Sequence, residues 1–228
     1  MELASGPLET WPEQQKIERW REKSVVLTQF EDVEAYHPAL IRRVLELEKD
    51  PELSEEWNRL QGGAKVYHLD RWDCPEAELL QARALTLFKR VFNTQEAFLD
   101  IGWATIYRKG DHCMPHSHYR TMASLVYFLT FGDSDPNESA SGRFLFVDPR
   151  LPMCCQQEPG RMTTPCAPLM KEGLMIMFPG QVVHCVSPYT GEQPRITLSW
   201  NINQKAIEGS PLPEKVVART RGDKPPLV

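Results

Sequence analysis

Three of the chain's six histidines, His112, His116 and His118, fall within seven residues, in the stretch Asp111-His112-Cys113-Met114-Pro115-His116-Ser117-His118. A fourth closes a distant run, Phe178-Pro179-Gly180-Gln181-Val182-Val183-His184. On an extended strand, residues i and i+2 point the same way about 6.6–6.8 Å apart, so His116 and His118 can aim at one point. If a later strand brings His184 there, three neutral imidazoles surround a cation and leave coordination positions open. Such a donor set suits Fe, Zn, Cu or Ni. The spacing therefore predicts a metal site at His116, His118 and His184. His112 is left outside it, and His37 and His68 are read as structural.

Eleven residues past His184 begins Arg195-Ile196-Thr197-Leu198-Ser199-Trp200. By strand parity Arg195, Thr197 and Ser199 share one face, and Ile196, Leu198 and Trp200 the other. A polar row facing a barrel interior needs a partner, because an unpaired buried guanidinium is costly. A bound carboxylate supplies one: the guanidinium fork donates two parallel hydrogen bonds, and a neighbouring hydroxyl adds a third. Pairing of Arg195 with a local Asp or Glu at the rim is the other reading these residues allow.

These groups must be positioned by the elements around them. A short polar helix is expected over residues 11–23, then a strand at Val25–Leu27. Leu40, Val44 and Leu47 recur at helical spacing within Ala39–Lys49, and Asp50-Pro51 stops that helix. A second short helix is expected over Glu52–Leu60, and a strand over Ala64–Leu69. Asp73-Cys74-Pro75 reads as a helix start capped by Asp73. The helix that follows places Leu79, Leu80, Ala84, Leu87, Phe88 and Val91 on one face, for packing on a sheet. From Leu99 the pattern turns to strands: Leu99–Arg108, Met122–Thr130, Arg143–Val147, Gly173–Phe178, Val182–Val186 and Pro194–Ile202. Helices followed by strands imply a mainly β (α+β) fold, a β-sandwich or barrel buttressed by helices. One domain is expected over residues 1–203, with its core at about 62–203 and a loosely attached tail at 204–228. Loops at 132–142 and 149–172 are expected over the barrel mouth, where specificity often resides.

Composition narrows the function classes. With 228 residues the chain can bury roughly 70% of its unfolded surface without disulfides. A net charge of −5 with no basic run beyond two residues argues against nucleic acid or an anionic membrane as partner. No apolar run approaches the ~18 residues of a membrane span. The amino terminus lacks the pattern of a secretory signal, and the six cysteines (74, 113, 154, 155, 166, 185) form no C-x-x-C pair. Reduced thiols and a cytoplasmic location are expected. The Trp-rich first half could serve a core or a homodimer contact.

From about Gly62 to Asn203 the chain resembles the iron(II)- and 2-oxoglutarate-dependent oxygenases, especially a compact bacterial group. The resemblance is carried by Lys109-Gly110-Asp111…His116-Ser117-His118, Ser124-Leu125-Val126-Tyr127-Phe128, Ser141-Gly142-Arg143-Phe144…Asp148-Pro149-Arg150, Phe178-Pro179…His184 and Arg195-Ile196-Thr197. It implies a double-stranded β-helix, a jelly-roll barrel of cupin type. It also implies Fe(II) on His116 and His184, with 2-oxoglutarate gripped by Arg195 and Thr197. Tyr107 sits where related prolyl hydroxylases place a tyrosine against the cosubstrate, and Tyr127 is a weaker candidate of the same kind. The implied reaction consumes O2 and 2-oxoglutarate, oxidises a C–H bond of a small or amino-acid-like molecule, and releases succinate and CO2. The family's usual H-x-D or H-x-E is here His116-x-His118. Either His118 ligates, or a carboxylate such as Asp133, Asp135 or Asp148 takes its place. Gly110…His116-x-His118 and Gly173…Pro179…His184 also echo the two cupin motifs. A three-histidine dioxygenase working without 2-oxoglutarate, or a non-catalytic metal- or ligand-binding barrel, is the alternative.

Overall fold

Eleven strands and two α-helices make up the described residues of the computed structural model, 25–56, 63–147, 164–165 and 170–205. Strand β1 (Val26–Gln29) leads to helix α1 (His37–Leu47), strands β2 (Ser54–Glu56) and β3 (Ala64–Tyr67), and helix α2 (Pro75–Phe92). Then come β4 (Phe98–Tyr107), β5 (Cys113–His116), β6 (Ala123–Thr130) and β7 (Phe144–Phe146). They are followed by β8 (Thr164–Pro165), β9 (Leu174–Pro179), β10 (His184–Val186) and β11 (Arg195–Asn203). The helix expected at 11–23, most of the 149–172 loop and nearly all of the tail lie outside the described residues.

Seven strands form one sheet in the order β1-β9-β6-β11-β4-β3-β2, and four form a second, β5-β10-β7-β8. All pairings are antiparallel. From β4 onward the chain passes repeatedly between the two sheets, as in a double-stranded β-helix. Strand β11 lies between β4 and β6 and is buried along its whole length. Ile196, Leu198, Trp200 and Ile202 join a core with Leu40 and Val44 of α1 and Leu80, Ala84 and Phe88 of α2. A second core, with Phe128, Phe144, Phe146, Ile176, Phe178 and Tyr189, fills the space between the sheets. The large sheet thus has an apolar helix-bearing face and a face turned into the barrel.

The helices obey local rules with three departures from expectation. Helix α2 carries Glu76 and Glu78 in its first turn and Lys89 and Arg90 in its last, complementing the helix dipole. It stops at Asn93, at φ 48°, a left-handed conformation that asparagine tolerates. Its buried stripe is Ala77, Leu80, Ala84 and Phe88, narrower than the sequence predicts: Leu79 and Val91 are 39% and 40% exposed. Cys74, not Asp73, is the N-cap, because Asp73 adopts a left-handed φ of 47° and makes the turn before it. The helix expected at Glu52–Leu60 is replaced, over residues 54–56, by β2. There the chain finds a partner in β3, Ser54 opposite Val66 and Glu55 opposite Lys65, and has no apolar stripe to bury as a helix.

Candidate active site

His116, at the end of β5, pairs directly with His184, at the start of β10. His118 follows two residues beyond β5, and its backbone N–H donates to the Gly180 carbonyl at 2.7 Å. The ring centroids of His116 and His184 are 4.3 Å apart, and those of His118 and His184 are 5.2 Å apart in near-parallel planes. One ring nitrogen from each histidine lies within 4.8 Å of the others. The Nδ1 atoms of His116 and His184 sit 2.9 and 3.0 Å from the carbonyls of Met114 and Val182. Donating there, each leaves its Nε2 lone pair pointing inward. His118 Nε2 and His184 Nε2 are 3.3 Å apart, a spacing at which two lone pairs repel unless a proton or cation lies between them.

Protonation of these rings is disfavoured. Burial lowers the pKa of His118 to about 3 and that of His184 well below the usual imidazole value, with the neighbouring imidazoles adding to the effect. His116 is lowered mainly by burial. Phe178 and Phe144 press on His184 with centroids at 4.7 and 5.4 Å, and Trp103 stacks on His118 at 5.9 Å. The result is a neutral, all-nitrogen donor set. Among the described residues no carboxylate joins it. Asp133 instead accepts from the backbone N–H groups of Glu192 and Gln193, and Asp135 from that of Asn137. Asp148 lies outside the described residues.

Arg195 opens β11 beside Tyr107, its cross-strand partner on β4. It is 1% exposed, and among the described residues none of its three guanidinium nitrogens has a hydrogen-bond partner. Its guanidinium carbon lies 5.1, 5.7 and 5.8 Å from the ring centroids of Tyr107, Phe128 and Phe131. Burial lowers the guanidinium pKa and raises that of the Tyr107 hydroxyl. Thr197 and Ser199 continue the same row along a cavity that opens to solvent. Arg195, Thr197, Tyr107 and all three histidines line this one space.

Tyr127, the weaker cosubstrate candidate, is not in it. On β6 the neighbours Val126 and Phe128 face the barrel, so parity turns Tyr127 to the helix side. There its hydroxyl meets Tyr36 Oη at 2.8 Å and His37 Nε2 at 2.6 Å. His112 is in the turn before β5, 3.4 Å from the Gly110 carbonyl and away from the cluster. His37 and His68 are buried on the helix side and in a short 3-10 turn, respectively. Sequence reasoning missed Trp103, Thr105, Lys65, Cys113 and Phe144 as lining residues. Trp103 and Thr105 alternate with Tyr107 along β4, so parity alone could have found them. Lys65 required knowing that β3 pairs with β4.

Residues 102–201 match the family model described as "Putative 2OG-Fe(II) oxygenase". No curated protein sequence gives a significant match. Among solved structures, the epimerase SnoN in complex with Fe3+, alpha ketoglutarate and nogalamycin RO aligns over 91% of this chain and 90% of its own. Its TM-score is 0.62 and its identity 15%. A prolyl-4-hydroxylase from Pseudomonas putida covers 79% of this chain and 92% of its own, with a TM-score of 0.55 and 15% identity. The collagen prolyl hydroxylase vCPH of Paramecium Bursaria Chlorella virus-1, solved as a 2OG complex, covers 78% and 94%, with a TM-score of 0.53 and 12% identity. These likenesses show the shared double-stranded β-helix. Over residues 102–201, which carry the barrel strands and the site, the chain is similar to the iron(II)- and 2-oxoglutarate-dependent oxygenases.

The residues fit the groups that family uses. An orphaned, fully buried guanidinium is what a carboxylate of 2-oxoglutarate would complete, and inward-facing lone pairs on neutral imidazoles are what Fe(II) requires.

Proposed function

We propose that this protein is an iron(II)- and 2-oxoglutarate-dependent oxygenase that hydroxylates a C–H bond of a small or amino-acid-like molecule: R–H, 2-oxoglutarate and O2 become R–OH, succinate and CO2. His116, His118 and His184 hold Fe(II), and Arg195, Thr197 and Tyr107 receive the far carboxylate of 2-oxoglutarate. The observation that carries this reading is the Arg195 guanidinium, buried with no hydrogen-bond partner among the described residues, in the cavity it shares with the three histidines. Burial of a guanidinium without a ligand costs stability, and the far carboxylate of 2-oxoglutarate would relieve that cost.

When bound, Fe(II) and 2-oxoglutarate supply O2 activation coupled to oxidative decarboxylation. The chain's residues orient and insulate. Carbonyls at Met114 and Val182 fix two imidazoles in the tautomer that leaves Nε2 free. Phe144 and Phe178 pack on His184 and Trp103 stacks on His118, which shields those faces of the rings from water. Arg195 would hold the far carboxylate of the cosubstrate in the cavity that the three histidines line, converting an encounter into a positioned pair.

The test is succinate release by the full chain with Fe(II), 2-oxoglutarate and O2 each omitted in turn. Loss of succinate on every omission supports the reading. Oxygen uptake that continues without 2-oxoglutarate overturns it in favour of the cupin-type alternative.

A further inference from the structure

Tyr189, between β10 and β11, is fully buried, yet it is not among the residues that line the cavity. Its hydroxyl faces three acceptors: the Gln193 carbonyl at 2.6 Å, Asp133 Oδ1 at 3.1 Å and the Phe131 carbonyl at 3.2 Å. Gln193 stands two residues before Arg195, and the Phe131 ring centroid lies 5.8 Å from the guanidinium carbon. One hydroxyl thus holds both the chain that enters Arg195 and an aromatic wall of the guanidinium's niche. The Tyr189 backbone is fixed as well: its N–H donates to the Asp111 carbonyl at 2.8 Å, and its carbonyl accepts from the Gly110 N–H at 2.7 Å.

Asp133 completes the arrangement. Besides meeting the Tyr189 hydroxyl, its carboxylate accepts from the backbone N–H groups of Glu192 and Gln193 at 3.1 and 3.2 Å, closing the turn that delivers Arg195. A Cβ on Gly132 or Gly191 would collide with the Tyr189 hydroxyl, so these two glycines keep its place open. Arg195 needs such outside support. Among the described residues its guanidinium nitrogens have no hydrogen-bond partner, so packing and the entering backbone alone fix where the fork sits. A fork grips a carboxylate through two parallel bonds only in a narrow geometry, and small misplacements of a binding group are costly.

Resting on the oxygenase reading above, we propose that Tyr189, pinned by Asp133, is the positioning residue of the cosubstrate niche. It touches neither cosubstrate nor metal, and acts by fixing where Arg195 presents its guanidinium to the far carboxylate of 2-oxoglutarate.

The experiment titrates 2-oxoglutarate into the full chain, loaded with Fe(II) in the absence of O2, for the parent, Tyr189→Phe, Asp133→Ala and Tyr127→Phe. Calorimetry reads cosubstrate binding, elemental analysis reads iron content, and urea denaturation reads stability. Tyr189→Phe keeps the ring and removes only the hydroxyl; it should weaken 2-oxoglutarate binding roughly fivefold or more, with iron content within about twofold of the parent. Asp133→Ala, at an exposed position, should weaken it about threefold or more with the same retention of iron. Tyr127→Phe breaks a hydroxyl network on the helix side of the large sheet, and should lose stability while keeping cosubstrate affinity. Unchanged affinity in Tyr189→Phe or in Asp133→Ala overturns the proposal. So does an equal loss of affinity in Tyr127→Phe, which would trace the effect to general loosening, or a parallel loss of iron in Tyr189→Phe. If Tyr189→Phe does not fold, Asp133→Ala decides alone. If the unsubstituted protein fails to bind 2-oxoglutarate, the oxygenase reading itself falls and takes the proposal with it.

Discussion

Gly142 touches the stem of Arg195: a Cβ added to the glycine would lie 2.8 Å from Arg195 Cδ, and 2.9 Å from Cδ2 of Tyr189. Gly142 also has a φ of 58°, a conformation that a side chain resists. The loop before β7 therefore forms the back wall of the guanidinium's niche. Gly142→Ala should displace Arg195 and weaken 2-oxoglutarate binding roughly tenfold, at a stability cost of about 1–3 kcal/mol. Calorimetric titration of the cosubstrate checks this, and an unchanged affinity would show that the niche yields freely.

Arg195→Met separates the two roles of the buried guanidinium. Removing the cosubstrate's charged partner should weaken 2-oxoglutarate binding by about 2–5 kcal/mol, or roughly 30-fold and beyond. Without cosubstrate, the same variant should be more stable than the parent by about 1–4 kcal/mol, since a methionine fills the space with no charge to desolvate. Urea denaturation of the ligand-free protein gives the second number. A destabilised Arg195→Met would mean that the guanidinium finds a structural partner in solution.

His118 stands where a carboxylate is usual, and replacements there should discriminate by donor capacity. His118→Ala should lower metal affinity about 100-fold, while His118→Asp, which restores a donor, should stay within about tenfold of the parent. Metal content after dialysis, measured by elemental analysis, reads both. Full retention of metal by His118→Ala would point to a carboxylate donor in its place.

Tyr127→Phe should leave 2-oxoglutarate affinity unchanged and cost stability instead. Its hydroxyl joins Tyr36 and His37, and Arg83 reaches Tyr36 at 3.1 Å while also pairing with Asp32. Losing a hydroxyl from this buried network should cost about 1–3 kcal/mol. Denaturation and cosubstrate titration of the same preparation provide the two readings.

What could be read from the residues was mostly what alternation and proximity encode. Arg195, Thr197 and Ser199 were legible as one face because β11 alternates regularly through them. His116 and His118 were legible because two positions apart along an extended chain is a spatial statement. Tyr127 failed on the same rule: it was judged by residue type, while its neighbours Val126 and Phe128 already claimed the interior. Lys65 was hidden, since its place beside His118 depends on β3 pairing with β4. Gly142 shows the same limit, because its contact with Arg195 joins residues 53 positions apart in sequence. The strand at 54–56 was masked by a polar segment with no periodicity to separate helix from strand.

Strand β11 carries cavity residues and helix-supporting residues in strict turn, Arg195 against Ile196, Thr197 against Leu198, Ser199 against Trp200. Its pairing with β4 stays in step from Arg195 to Asn201, shifting only beyond it. Inserting or deleting one residue in that span would send the guanidinium into the oily layer beneath α2 and leave isoleucine at the reaction chamber. Architecture and chemistry here share a reading frame, so this segment should tolerate exchanges of side chain far better than changes of length.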